Sequence, residues 1–117
     1  MNIDSSHFFA ALANDTRQRC LYLVATNEDV CVCEVVAALD IPQPSASKAL
    51  RALKDAGFLC DRKEANWNYF RLNDAMPDWA RAVVAATIKG LGLSKIHMAD
   101  QQRFKNLNLR GAGAVCE

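Results

Sequence analysis

The chain has no run of apolar residues approaching the 18 that a membrane-crossing helix requires, so nothing in it reads as a membrane span. Its opening stretch, MNIDSSHFFAALAND, lacks a basic segment followed by an apolar one; no secretory signal is expected, and the cytoplasm is the expected compartment. Phosphate loop, GxGxxG fingerprint, nucleophile elbow and internal repeat are all missing, and an enzyme is not expected. Glycine and proline are scarce, at 5 and 3 of 117 residues; with 51% hydrophobic and 23% charged residues this is an ordinary globular composition. The 5 cysteines are odd in number and irregularly spaced, which excludes a secreted disulfide framework and leaves core residues, metal ligands or reactive thiols. Net charge is also nearly absent, at +1, and that total alone does not suggest DNA.

The length predicts one domain whose modest core leans on a partner subunit. The charge, small in sum, is unevenly spread. Met1 to Ile41 carries two arginines against six acids (−4), Pro42 to Leu72 six bases against three acids (+3), and Asn73 to Glu117 six bases against four acids (+2). Such a basic middle is a weak nucleic-acid signal.

His7 to Ala13 is apolar and helical in character, and Asp15 or Thr16 can cap the next helix, whose buried side is Cys20, Leu21, Leu23 and Val24. VCVC suits a short extended piece before a helix beginning near Glu34, and EVVAAL supplies two turns at most. DIPQP is a tight turn, because each proline disfavours helical geometry in the residue before it. A longer helix is expected from about Pro44 to Ala56, with Gly57 as terminator and Ala46, Ala49, Leu50 and Leu53 on its apolar face. FLCDRK-EAN-WNYFRL reads as a β-hairpin with Trp67, Tyr69 and Arg71 on one side and Asn68, Phe70 and Leu72 on the other; Asn66 is the expected left-handed residue. A last helix from near Pro77 is apolar around most of its circumference, so its second side is expected to meet another copy of the chain. The predicted fold class is mainly α with a small β-hairpin: a winged helix-turn-helix, dimeric through its terminal helices. Residues 1–100 form the domain and 101–117 a C-terminal tail.

A helix enters the major groove if its outward side chains are short or basic. Ser45 and Ser47 keep the first turns slim, Lys48 and Arg51 can reach base edges or phosphates, and Gln43 sits at the helix start. Arg62 and Lys63 on the hairpin are placed to hold the flanking backbone. Double-stranded DNA is the expected partner, with no membrane contact.

Ahead of the reading helix stands DVCVCE, residues 29–34. On a regular helix two residues differ by about 200°, so Cys31 and Cys33 would diverge; on an extended segment they point the same way. One ion can use both sulfurs only if CVC is, or becomes, non-helical. Thiolates are soft and select thiophilic ions. An ion preferring a distorted form draws the protein away from the DNA-competent one, and about 5.5 kcal/mol of differential affinity turns such a switch nearly fully. Cys20 and Cys60 read as core, and Trp67, Trp79 and Tyr69 as packing residues.

FFAALANDTRQRCLYLV, VCVCEVVAALDIPQPSASKALRALKDAGFL and DRKEANWNYFRL resemble, in that order, three blocks of the ArsR/SmtB winged-helix metalloregulators. The resemblance implies a homodimeric repressor released from operator DNA by metal or metalloid ions. By it, Gln43, Ser45, Ser47, Lys48 and Arg51 match the recognition helix, and Arg62 and Lys63 the wing. Pro42 replaces a frequent capping serine and Ala49 a frequent histidine. CVCE resembles the CVCD segment of arsenite-responsive members, which implies Cys31 and Cys33 as ligands of As(III) or Sb(III), the inducer, with no resident cofactor. A third cysteine common in those members is here Val36, so the third ligand is Cys116, a small thiol, or none; a methylated arsenical needs only two thiolates. His7 and His97 lack the partners of the family's zinc sites. Two alternatives stay open: a Cd, Pb or Zn sensor of the same family, and a thiol redox switch, against which stands the strain of a ring closed across one residue.

Overall fold

The computed structural model describes residues 3–109. Two helices open the chain, α1 (Ser5–Ala11) and α2 (Asp15–Thr26). Asp4 caps the first, its Oδ1 accepting from Ser6 N at 3.0 Å. Asn14 caps the second, accepting from Arg17 N at 2.9 Å. The cap therefore lies one residue before Asp15 and two before Thr16, the expected caps: Asn14 keeps extended backbone while Asp15 already turns into the helix, where its charge suits the dipole.

A two-residue strand β1 (Val30–Cys31) leads into α3 (Val32–Leu39), the DIPQP turn and α4 (Gln43–Asp55). Pro42 precedes α4 and Pro44 lies in its first turn, where a missing N–H costs nothing. Ala46, Ala49, Leu50 and Leu53 are all buried, as their spacing predicts. At the far end Gly57 adopts φ +100°; its N–H donates to Lys54 O at 3.0 Å and Phe58 N–H to Leu53 O at 2.9 Å, a Schellman termination. A Cβ at Gly57 would also come within 3.2 Å of Ile3 Cδ1. Gly57→Ala is expected to lower stability by about 1–2 kcal/mol, read as a reduced urea midpoint at unchanged m-value.

Strands β2 (Leu59–Glu64) and β3 (Trp67–Leu72) form the hairpin, with Glu64 opposite Trp67. The left-handed residue is Ala65, φ 57°, not Asn66. With Phe70 turned inward the register is fixed, and the first position of the two-residue loop, here an alanine, must take positive φ. The sheet has three strands rather than two, in the order β1-β3-β2, because β1 adds to the hairpin's free edge.

Two further helices close the described chain, α5 (Asp78–Leu91) and α6 (Lys95–Leu109). Only Ala80 and Val84 of α5 are buried, and Trp79 is 43% exposed. Trp67 and Trp79 are thus less enclosed than packing residues would be. α6 runs through 101–109, which sequence alone assigns to the tail, so the boundary at residue 100 falls inside a helix. That helix carries few apolar residues; it is anchored by buried Phe104 and by Asp100, which is 0% exposed. Arg19 donates to both Asp100 oxygens at 2.8 Å and to Leu39 O at 2.7 Å. Arg103 donates to Asp100 Oδ1 at 2.7 Å and to Ala38 O at 2.6 Å. One carboxylate thus ties α6 to α2 and, through two guanidinium groups, to the carbonyl end of α3.

Between these layers lies a core in which Phe8 stacks on Phe58 at 4.1 Å and Leu21, Leu23, Val35, Leu50 and Leu53 are fully enclosed. Cys20 is buried in it, as expected; Cys60 is half-buried, its thiol donating to Asn73 Oδ1 at 3.5 Å.

Candidate thiol site and nucleic-acid interface

Cys31 is the last residue of β1 and the N-cap of α3, with extended backbone (φ −89°, ψ 160°), while Cys33 already lies in the helix. This junction brings the sulfurs together: Sγ to Sγ is 2.7 Å. A wholly non-helical CVC is therefore unnecessary, because one extended residue at the helix mouth aims its side chain over the first turn. The helix begins at Val32, two residues before the expected Glu34.

Glu34 completes a capping box. Its Oε1 accepts from Cys31 N at 3.0 Å, and the Cys31 side chain accepts from the Glu34 backbone N–H. Burial pushes the Cys31 thiol up to about 11; the Glu34 and Cys33 backbone N–H groups pull it down, and the Glu34 carboxylate opposes ionisation. The residue is only 2% exposed, although an N-terminal helix turn favours a developing thiolate. Among the described residues no group of three or more His, Cys, Asp or Glu converges to hold an ion. Cys116 lies outside the described residues. His97 is buried beside Tyr22 and His7 is exposed, and neither belongs to such a group.

Across the turn, α4 presents Gln43, Ser45, Lys48 and Arg51 on its exposed side; Ser47 is half-buried at the flank. Ser45 and Lys48 line a groove of ≈ 220 Å³ together with Thr16 and Arg17 of α2 and its cap Asn14, a neighbourhood that sequence spacing does not reveal. Lys54 pairs with Asp61 of β2 at 2.9 Å, fixing the wing to the helix; this ion pair first, helped by Asn68, holds the Asp61 carboxyl below its ordinary range. Lys63 is exposed on the wing. Arg62 is exposed too, but engaged: it pairs with Glu64 at 2.6 Å and Asp29 at 3.4 Å, and its guanidinium lies 4.8 Å from the centre of the Tyr69 ring. The sequence gives no warning of Tyr69 and Asp29 as neighbours of both the thiols and the wing cation, because that depends on β1 joining the sheet.

A short helix, a proline turn, a longer helix with a polar and basic outer side and an adjoining β-wing define a DNA-binding regulator of the winged helix-turn-helix class. The sequence profile described as bacterial regulatory protein, arsR family, matches residues 14–59, and the chain is 35% identical over 103 residues to the arsenic resistance transcriptional regulator ArsR2 of Pseudomonas putida, covering 87% of each chain. The chain belongs to the arsR family, whose members are transcriptional regulators and not enzymes. It is also 40% identical over 80 residues to the arsenic resistance transcriptional regulator ArsR1 of the same organism, covering 68% of this chain but only 62% of that relative. Among solved structures, the homodimeric winged helix-turn-helix domain of Mb0332 from Mycobacterium bovis superposes with a TM-score of 0.62 at 25% identity, covering 77% of this chain and 82% of that one. No helix among the described residues is long and apolar enough to cross a membrane.

Proposed function

We propose that the protein is a homodimeric repressor that binds operator DNA in the cytoplasm and is released by trivalent arsenic, or antimony, captured by Cys31 and Cys33. The observation that carries this reading is the 2.7 Å approach of two sulfurs at the mouth of the helix that introduces the reading helix. Soft trivalent ions suit such a pair, and the names of the Pseudomonas putida relatives point to arsenic. Two protein sulfurs leave the third position of arsenic to Cys116, to a small thiol or to a retained hydroxyl; a methylated arsenical fills it with carbon.

On DNA, Gln43, Ser45, Ser47, Lys48 and Arg51 face the major groove, and Arg62 and Lys63 hold flanking phosphates. A second copy fits the open side of α5, where Trp79 lies exposed beside exposed Phe9 of α1, ring centroids 6.2 Å apart. The Mycobacterium relative is a homodimer, and two reading helices would match a palindromic operator.

The deciding experiment is fluorescence anisotropy with operator DNA, titrated with arsenite, methylarsenite, cadmium, zinc and peroxide. Arsenite is expected to release wild type but not Cys31→Ser or Cys33→Ser, with Cys116→Ser deciding the third ligand. Release of both serine variants by arsenite would sink the thiol site. A thiol redox switch is the second reading, and release by peroxide alone selects it.

A further inference from the structure

Cys31, Tyr69 and Arg62 form one row across the sheet. Cys31 of β1 is registered opposite Tyr69 of β3, and Tyr69 opposite Arg62 of β2. Directly opposed residues of antiparallel strands project to the same face with Cβ atoms about 5 Å apart. The row therefore begins at the sulfur and ends at the wing cation, with an aromatic ring between them. Arg62 already rests against that ring, 4.8 Å from its centre. Its acidic partner Asp29 stands two residues before Cys31, in a left-handed conformation with φ 48°, so one short segment carries both the thiol and the tether.

We infer that Tyr69 is the positioning residue through which the thiol site controls Arg62. An ion on Cys31 takes up the space beside the Tyr69 ring, displaces it, and removes the support that aims Arg62 at DNA. The inference rests on the proposed thiol site for arsenite. Two observations favour this route over one through the reading helix. The carbonyl end of α3 is held by Arg19 and Arg103, so a disturbance at its first turn meets resistance before reaching α4. β1, by contrast, is only two residues long and hydrogen-bonds directly to β3, so any shift of Cys31 acts on Tyr69 at once. Arg62 itself is held by exposed ion pairs, which are weak and easily redirected.

The test measures operator affinity with and without arsenite, and arsenite affinity separately from the sulfur–arsenic absorbance, in wild type, Tyr69→Leu, Tyr69→Phe, Arg62→Ala and the Tyr69→Leu/Arg62→Ala double variant. Tyr69→Leu and Arg62→Ala are expected to bind arsenite as wild type does, to bind operator more weakly without it, and to show an arsenite-induced weakening reduced by about tenfold. The double variant should lose no more than either single one, since the two residues act in one chain. Tyr69→Phe keeps the ring and should behave as wild type. The salt dependence of ion-free Arg62→Ala should fall by ~0.9 in log–log slope for each phosphate it no longer neutralises, and arsenite-loaded wild type should match it. If Tyr69→Leu or Arg62→Ala binds arsenite and is still released as strongly as wild type, the relay is wrong while the thiol site stands. If wild type itself binds no arsenite, or keeps its DNA when loaded, both fall.

Discussion

Between about pH 6 and pH 8 the affinity of the thiol pair for cadmium should rise ~100-fold from the Cys31 proton alone, while its affinity for arsenite stays level. The difference lies in where the proton goes. Burial holds Cys31 protonated across this range, its thiol raised to about 11. A divalent cation must displace that proton into solution, so each unit of rising pH favours binding about tenfold until the thiol's own range is reached. Arsenous acid arrives as a neutral trihydroxide. Each thiol that replaces a hydroxyl sends its proton out on that hydroxyl as water, two thiols yielding a dithiolate with one hydroxyl retained and two waters released. No net proton appears, and pH drops out of the equilibrium. A buried, reluctant thiol at Cys31 would thus handicap cadmium and zinc at neutral pH without handicapping arsenic. Competition titrations with a coloured dithiol across the pH range measure both slopes. A level cadmium curve would mean that Cys31 gives up no proton on binding.

Asp100→Ala should lower stability by about 3 kcal/mol, near the lower end for breaking a buried ion pair. The carboxylate is wholly enclosed and receives three guanidinium hydrogen bonds. Its loss leaves two cations facing each other. Arg19 is largely sheltered, with its side chain 16% exposed, and bears most of the cost; Arg103, at 45%, regains water and is discounted accordingly. Asp100→Asn keeps the shape and one good acceptor, and should lose less. Urea unfolding followed by circular dichroism measures each. A loss under about 1 kcal/mol for Asp100→Ala would mean that α6 is held by Phe104 and its apolar neighbours instead.

The helix-turn-helix was legible because its signals are local: apolar spacing at Ala46, Ala49, Leu50 and Leu53, prolines at 42 and 44, and a glycine whose terminating bonds appear where expected. The two thiols were legible as a pair, but their geometry was not. It depends on a strand only two residues long, whose existence follows from pairing with Phe70 and Tyr69 some forty residues away. Helix α6 is hard to read from sequence for a related reason. Its inward side is held by a carboxylate and two arginines rather than by a continuous apolar stripe, so period counting finds little there. Buried charge satisfied by distant partners leaves almost no trace in sequence. The same holds for Tyr69 and Asp29, unremarkable until the sheet sets them beside Cys31 and Arg62.

At Cys31 the capping box is closed by sulfur. Oxygen side chains are the strong fasteners of a helix start, and sulfur is a poor substitute. The protein has thus left the first turn of α3 secured by one of the weaker fittings available, at the very point where a soft ion would compete for it. On the proposed reading, a metalloid taking this sulfur would not have to prise open a well-made joint; it would simply remove the bolt.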